Sequence, residues 1–301
     1  MDRFESMSVY AAIVEEGGFS AAARKLRMPV ATVSRKLSEL EAYLKVQLLT
    51  RTTRKVTATQ QGEQFYRDCR RILSELAEAE RTAAGEYGSP RGELVVTAPL
   101  VFGRLHVMPV VNAFLAAYRE ITIRLVFSDR ILSLQDEHLD VAVRIGELPA
   151  STMKAMRIGE VTRIVCAAPK YIAKNGMPLY PRELAGHDCV AFSNMDGPEG
   201  WDFREEGNVS RYPVKARMIV NSAEAAINAA IAGTGITRVL SYQAAAALRN
   251  GSLERLLAPF EPEPLPVSLA YQGGKAMAQK LRAFIDFAAP RIKARLQAVS
   301  V

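Results

Sequence analysis

The chain has 301 residues, a formal charge of +7 at pH 7 and a pI near 9.4, with 49% hydrophobic and 7% aromatic residues. Such length and apolar content support a sizeable core without staples and room for more than one domain. Cys69, Cys166 and Cys189 are odd in number, far apart and without CxxC spacing, so they read as inert thiols in a reducing compartment, not as a disulfide framework.

The opening stretch carries Asp2, Arg3 and Glu5, so no signal peptide is expected before the fold. No apolar run approaches the roughly 20 residues of a membrane span, and a soluble, cytoplasmic protein is expected. A first helix is predicted from about Arg3 to Glu16. Asp2 is its N-cap, Glu5 completes a capping box, and Gly17-Gly18 stops it. Phe4, Met7, Ala11 and Val14 form the predicted core stripe, and Phe19 plugs the space between this helix and the next.

Phe19 to Tyr43, FSAAARKLRMPVATVSRKLSELEAY, reads as two helices meeting at a short break. Ser20 is the predicted N-cap of the first, and Arg27-Met28-Pro29 ends it and opens the second. Val33, Leu37, Leu40 and Leu44 then recur at four, three and four residues and make one apolar stripe. At about 100° per residue, Ala31, Arg35 and Ser38 fall opposite, flanked by Thr32, Ser34 and Glu39. Small residues let a helix approach another surface closely, hydroxyls suit phosphate oxygens, and arginine suits a guanine edge. The plain alternative is a helical hairpin with a solvated charge face. Two neighbours favour a helix-turn-helix entering the DNA major groove. From Ser20 to Ala58 there are nine basic residues against Glu39 and Glu41 alone. The segment Leu49–Thr57 reads as a short hairpin, a wing with basic and hydroxyl residues at its tip.

From Gln60 to about Glu86 a proline-free helix is predicted. Phe65, Cys69, Ile72, Leu76, Ala79 and Ala83 form a heptad seam on it. With its outer positions charged and nothing local to pack on, the seam is expected to meet a second copy, placing two recognition helices on two half-sites. Gly85, Gly88, Ser89-Pro90 and Gly92 form a hinge.

Strands and helices then alternate. Strands are predicted at Leu94–Thr97, Ile121–Phe127, Val141–Ile145, Arg163–Ala168, Cys189–Phe192, Val214–Val220, Ile236–Leu240 and Val267–Tyr271. Helices are predicted at Leu105–Tyr118, Pro169–Asn175, Ala223–Ala232, Tyr242–Arg249 and Ala276–Gln297. This is α/β with mainly parallel sheets, whose ligands sit beyond strand carboxyl ends. The loop candidates there include Thr97-Ala98-Pro99-Leu100-Val101, Ser128-Asp129-Arg130, Arg144, Phe192-Ser193, Asn221-Ser222 and Gly233-Thr234-Gly235.

An enzyme needs a constellation, and none is visible. His106, His138 and His187 are scattered without HxxxH spacing, and no metal or cofactor is expected. No GxSxG elbow occurs, Gly233-Thr234-Gly235 is a lone GxG, and Asp136, Glu137 and Asp140 read as a solvated edge.

Several stretches together resemble the LysR-type transcriptional regulators, in particular their CrgA-like branch. These are GGFSAAARKLRMPVATVSRKLSELEAYL, LLTRTTRKVTATQQGEQFY, RGELVVTAP, SDRILSLQDEHLDVAVRIG, CAAPKYIAKNGMPLYPRELAGHDCVAF and IAGTGITRVLSYQAAAALRNGSLERLL. The resemblance runs the whole length. It implies a winged helix-turn-helix over 1–59, a linker and dimerisation helix over 60–88, and a two-lobed α/β effector domain of the periplasmic-binding-protein type over 89–301. Lobe I would be about 93–160 and 268–301, and lobe II about 161–267.

It further implies that Ser20, Val30, Ala31, Thr32, Ser34, Arg35, Lys36, Arg51, Thr53 and Arg54 face DNA. Phe65, Cys69, Ile72, Leu76 and Ala79 would serve dimerisation. Thr97, Leu100, Val101, Asp129, Arg144, Phe192, Asn221 and Thr234 would line the effector cleft. Pro29-Val30 stands where a Ser-Gln type pair is frequent, so no Gln-to-adenine contact is implied. Arg144 and Arg130 invite an anionic effector, a salt bridge inside the fold being the other use of each. The implied partners are double-stranded DNA with a dyad operator, a small-molecule effector, a second copy in a dimer or dimer of dimers, and RNA polymerase. A solute-binding protein or a nucleoid-type DNA binder is the competing reading.

Overall fold

The computed structural model describes residues 2–51, 56–83, 89–130, 139–148, 153–193, 200–272 and 278–298. The chain separates into two compact units, Met1–Gly88 and Ser89–Val301.

The first unit is built from α1 (Arg3–Glu16), α2 (Phe19–Leu26), α3 (Val30–Leu44), β1 (Leu49–Arg51), β2 (Val56–Ala58) and α4 (Gln60–Ala83). The Asp2 carboxylate accepts from the backbone N–H of Phe4 at 3.0 Å and Glu5 at 3.2 Å. Only half of the expected capping box forms, because the Glu5 carboxylate is engaged by Lys36 of α3. Of the core stripe expected on α1, Ala11 is buried and Met7 and Val14 pack against the core, and only Phe4 departs. Val9, Tyr10, Ala12 and Ile13 are buried while Phe4 is 48% exposed. The helix is packed on one side by α2 and α3 and on the other by α4, so its middle is covered broadly and its first turn is not. The α2 N-cap is Gly18, with no side-chain cap, and Ser20 lies inside the first turn. β1 and β2 pair antiparallel, Leu49 opposite Ala58, and form the stem of the wing. Glu41 anchors that stem by accepting from the N–H of Leu48 at 2.8 Å and of Leu49 at 3.2 Å.

The expectation that α4 has nothing local to pack on is corrected for its first turns. Cys69 is fully buried and Phe65 is partly buried in the winged-unit core, with the Phe65 ring 5.7 Å from Tyr10. Ile72 and Leu76 lie past that core and are half-buried, and Ala79 is exposed.

The second unit begins with β3 (Gly92–Ala98), α5 (Leu100–Phe102), a π-helical turn Gly103–Val107, α6 (Met108–Ala117), β4 (Ile121–Phe127), β5 (Val141–Ile145), β6 (Met153–Val161) and β7 (Arg163–Ala167). It continues with α7 (Pro169–Asn175), a 3-10 turn Pro181–Gly186, β8 (Asp188–Phe192), β9 (Trp201–Glu205), β10 (Asn208–Tyr212), β11 (Lys215–Val220), α8 (Ala223–Ile231), β12 (Ile236–Leu240), α9 (Ser241–Arg249), β13 (Glu254–Leu256), a 3-10 turn Ala258–Phe260, β14 (Leu265–Gln272) and α10 (Gln279–Gln297). Lobe I carries the sheet β4-β3-β5-β14-β6 and lobe II the sheet β11-β8-β12-β7-β13.

The sheets follow the expected parallel direction in most of their strands but are mixed. In each, four strands run in one direction and a single strand, β14 in lobe I and β7 in lobe II, runs against them. β6 and β7 form one ribbon, interrupted at Thr162, that passes from lobe I into lobe II. Leu100–Ala117 is long and apolar enough to cross a membrane by length and composition, contrary to the expectation that no run approaches a span. Here Val101, Phe102, Val107, Val110, Val111 and Phe114 of that stretch are buried in the core around α10 and the lobe I sheet.

Candidate functional site: a DNA-reading helix and an inter-lobe cleft

α3 divides cleanly. Val33, Leu37 and Leu40 are buried. Val30 is 46% exposed, Ala31, Arg35 and Ser38 are exposed, and Thr32 and Ser34 are half-covered. Pro29 starts the helix with extended backbone, and Arg27, in the left-handed region, ends α2 by donating its N–H to the Ala23 and Arg24 carbonyls. This break leaves the first turn of α3 protruding. Arg35 Nη1 donates to Glu39 Oε1 at 2.5 Å across one exposed turn, a contact that solvent and salt weaken readily. Lys36 points elsewhere. Its ammonium, on a side chain only 13% exposed, pairs with Glu5 and ties α3 to α1, so the structure removes it from the exposed face. Ser20 is exposed in the first turn of α2. Arg51 ends β1 with its side chain outside the described residues, and Thr53 and Arg54 lie outside them altogether.

In the second unit, strand direction locates the cleft. β3, β4 and β5 end at Ala98, Phe127 and Ile145, and β8, β11 and β12 end at Phe192, Val220 and Leu240. Leu240 pairs with Arg163 and Val267 with Ile145, which puts both sets of carboxyl ends at the lobe junction. The Asp129 carboxylate accepts from the Leu100 N–H at 3.0 Å and so caps the α5 start. Leu100 is 43% exposed and Val101 is turned inward. Asn221 is exposed after β11, while Phe192 is buried as the last residue of β8. Arg144 is buried on β5 opposite Ser268, and desolvation holds its guanidinium below the usual arginine range.

Two expected cleft residues lie elsewhere. Thr97 is fully buried, and its hydroxyl donates to the Val126 carbonyl of the neighbouring strand at 2.8 Å. It neither lines the cleft nor caps the following helix, whose N-cap is Pro99. Thr234 precedes β12. Because Ile236 pairs with Cys189, it sits at the amino-terminal end of the strands, beside Asp188 and opposite the Phe192 end.

The contacts that join the lobes were missed by sequence reasoning. Phe102 of α5 meets Tyr242 of α9 edge-on at 5.3 Å. His106 lies 4.9 Å from Phe102 and 5.5 Å from Tyr242. Arg104 pairs with Glu224 of α8. Burial pushes the Tyr242 hydroxyl well up, the nearby Asp129 charge adding to it, so it stays protonated. The π-helical turn is a recurring feature of functional sites. It packs tightly because Gly103 has no Cβ, which would fall 2.4 Å from the Phe127 ring. No sequence signal marks this cluster, since Tyr242 is well over a hundred positions from Phe102 and His106 and meets them only once the lobes form. Among the described residues there is no group of three or more metal-ligating side chains.

Comparison with known proteins gives the same two-part division. Residues 4–63 match the bacterial regulatory helix-turn-helix protein, lysR family, and residues 87–293 match the LysR substrate binding domain. The HTH-type transcriptional regulator CrgA of Neisseria meningitidis serogroup C (strain 8013) is 34% identical over 288 residues, covering 94% of this chain and 95% of that one. An HTH-type transcriptional regulator of Xanthomonas campestris pv. campestris (strain 8004) is 33% identical over 288 residues, 94% of this chain and 84% of the relative. The solved structure of CrgA, a LysR-type transcriptional regulator from Neisseria meningitidis, aligns with a TM-score of 0.61 at 31% identity, over 96% of this chain and 98% of that chain. The full-length Vibrio cholerae virulence activator AphB, a member of the LTTR family, aligns at 0.60 and 28%, over 95% and 98%. With a helix-turn-helix that leaves small and hydroxyl residues on its outer face and a two-lobed domain behind it, the chain belongs to the LysR-type transcriptional regulators, whose helix-turn-helix binds DNA under the control of an effector-binding domain.

Proposed function

We propose that Val30, Ala31, Thr32, Ser34 and Arg35 of α3 enter the major groove of one operator half-site, with Ser20 and the wing residues Arg51, Thr53 and Arg54 on flanking phosphates. The observation that carries this reading is the exposed face of α3, small and hydroxyl-bearing around one arginine, where a solvated helix would carry long charged side chains. Ile72, Leu76 and Ala79 of α4 would pair two subunits, so that residues 1–59 act as reader, 60–88 as linker and 89–301 as sensor. A small molecule would sit among Leu100, Asp129, Asn221 and the Phe102–His106–Tyr242 cluster, biasing lobe closure by its differential affinity for the two states. The protein would act in the cytoplasm, with RNA polymerase as its downstream partner.

Selection of operator sequences from random duplex DNA, followed by footprinting, tests the reading. Two protected half-sites related by a dyad are expected. Uniform coating without a dyad would overturn it in favour of a nucleoid-type binder. Thermal-shift screening of the full chain against small carboxylates and aromatics would then find the effector class.

A further inference from the structure

We propose that lobe II holds a second, anion-binding site on the side away from the inter-lobe cleft. Its framework is a cavity of about 290 Å³ lined by Lys170, Lys174, Asn175, Asp188, Arg217 and Thr234. The site exists because three unconnected segments meet at the amino-terminal ends of β8 and β12. α7 brings Lys170 and Lys174 one turn apart, β11 brings Arg217, and the turn from α8 into β12 brings Thr234. Gly233 makes that turn with φ +85, and a Cβ there would fall 2.9 Å from Lys170 Cε, so the lysine stem lies directly across the glycine.

The charge balance selects the ligand. Three cations face one carboxylate, and that carboxylate is already occupied. Asp188 accepts from Arg217 at 3.0 Å and lies 3.8 Å from the Lys215 ammonium at the rim. The wall is held rigid beneath them. The Tyr171 hydroxyl accepts from the Asp188 N–H at 3.0 Å and lies 3.3 Å from the His187 ring. Two ammonium groups, a guanidinium, a hydroxyl and an amide in a cavity at the small end of ligand-pocket sizes suit a small oxyanion, a phosphoryl or carboxylate group on a compact molecule. β8 separates this site from the cleft by its five residues, about 17 Å at the usual strand rise. An occupant here would therefore act without competing for the effector position.

Isothermal titration of the full chain with inorganic phosphate and with citrate, both at constant ionic strength against a chloride control, tests the proposal. Saturable one-site binding of either is expected, and which one binds identifies the source of the oxyanion. Lys174→Gln, at an exposed position that leaves the fold untouched, should weaken that binding about tenfold, the effect of one charge-assisted contact. Thr234→Val should weaken it by a smaller factor, and neither variant should change operator binding. Absence of binding by both anions, or equal binding by wild type and Lys174→Gln, would overturn the site. Neither outcome bears on the DNA-reading face, which the operator assay follows separately.

Discussion

Among the described residues the guanidinium of Arg35 is paired with Glu39, one exposed turn away, and that contact is cheap to give up. Arg35→Ala should therefore leave the melting temperature nearly unchanged while operator affinity falls. If Arg35 reads a base edge, the cost should be about 1–3 kcal/mol with relaxed discrimination at one position. If it meets a phosphate, all sequences should weaken alike and the salt slope should drop by about one. Unchanged binding to every sequence would remove α3 from the groove. Thr97 shows the opposite case, a hydroxyl without access to solvent. Its bond to the Val126 carbonyl is internal to the lobe I sheet. Thr97→Val should lower the unfolding free energy of the second unit by about 1 kcal/mol, because a carbonyl loses its donor. Denaturant midpoints measure this, and a variant of unchanged stability with lost effector response would return Thr97 to the cleft.

A seam is a property of an element, but its use depends on what lies beside it. The heptad positions of α4 read as one stripe, yet the structure takes only the first of them into the winged-unit core. Phe65 and Cys69 complete the winged-unit core against α1, whereas Ile72 and Leu76 lie beyond that core. Ile72→Asp should thus split the dimer and reduce DNA binding sharply, since burying an unpaired carboxylate at an interface is costly and two half-sites lose their tether. Cys69→Asp should instead unfold the winged unit. Sedimentation and circular dichroism on both variants separate the two effects, and an Ile72→Asp protein that remains dimeric would refute the seam. What the sequence disclosed follows the same division between local and non-local causes. α3 was legible because Pro29 and the Val33–Leu40 stripe are local signals. The strands β3, β4, β5 and β12 were legible as bounded apolar runs. β6, with an exposed and polar centre, and the β9–β10 hairpin carry no such signature. The cleft positions needed strand direction, which periodicity does not encode. Thr234 beside a GxG turn looked like a carboxyl-end loop and lies at the other end of its sheet.

At the scale of the whole effector unit, the two lobes share one continuous apolar core, in which Phe102, His106 and Tyr242 form the ring-lined joint. His106 is only 3% exposed, and neither ring nitrogen has a hydrogen-bond partner among the described residues. Burial, with the Arg295 charge adding to it, holds its pKa down at about 4 instead of 6.5. The imidazole is therefore neutral when buried and takes up a proton readily once exposed. Between those two values the opened or unfolded chain binds more protons than the closed one, so stability rises with pH there. The contribution is fully present above pH 6.5 and is lost as pH falls toward 4, about 3 kcal/mol over the whole window. His106→Leu keeps an apolar group of similar size at the joint and removes the titration. Its stability should exceed that of the wild type increasingly as pH is lowered from 7.5 to 4.5, by urea unfolding of the two proteins side by side. Carboxylate titrations are common to both proteins and cancel in the difference. A difference that stays constant across this range would show that His106 meets solvent or a partner in the folded protein, and would separate the acid sensitivity of the joint from its imidazole.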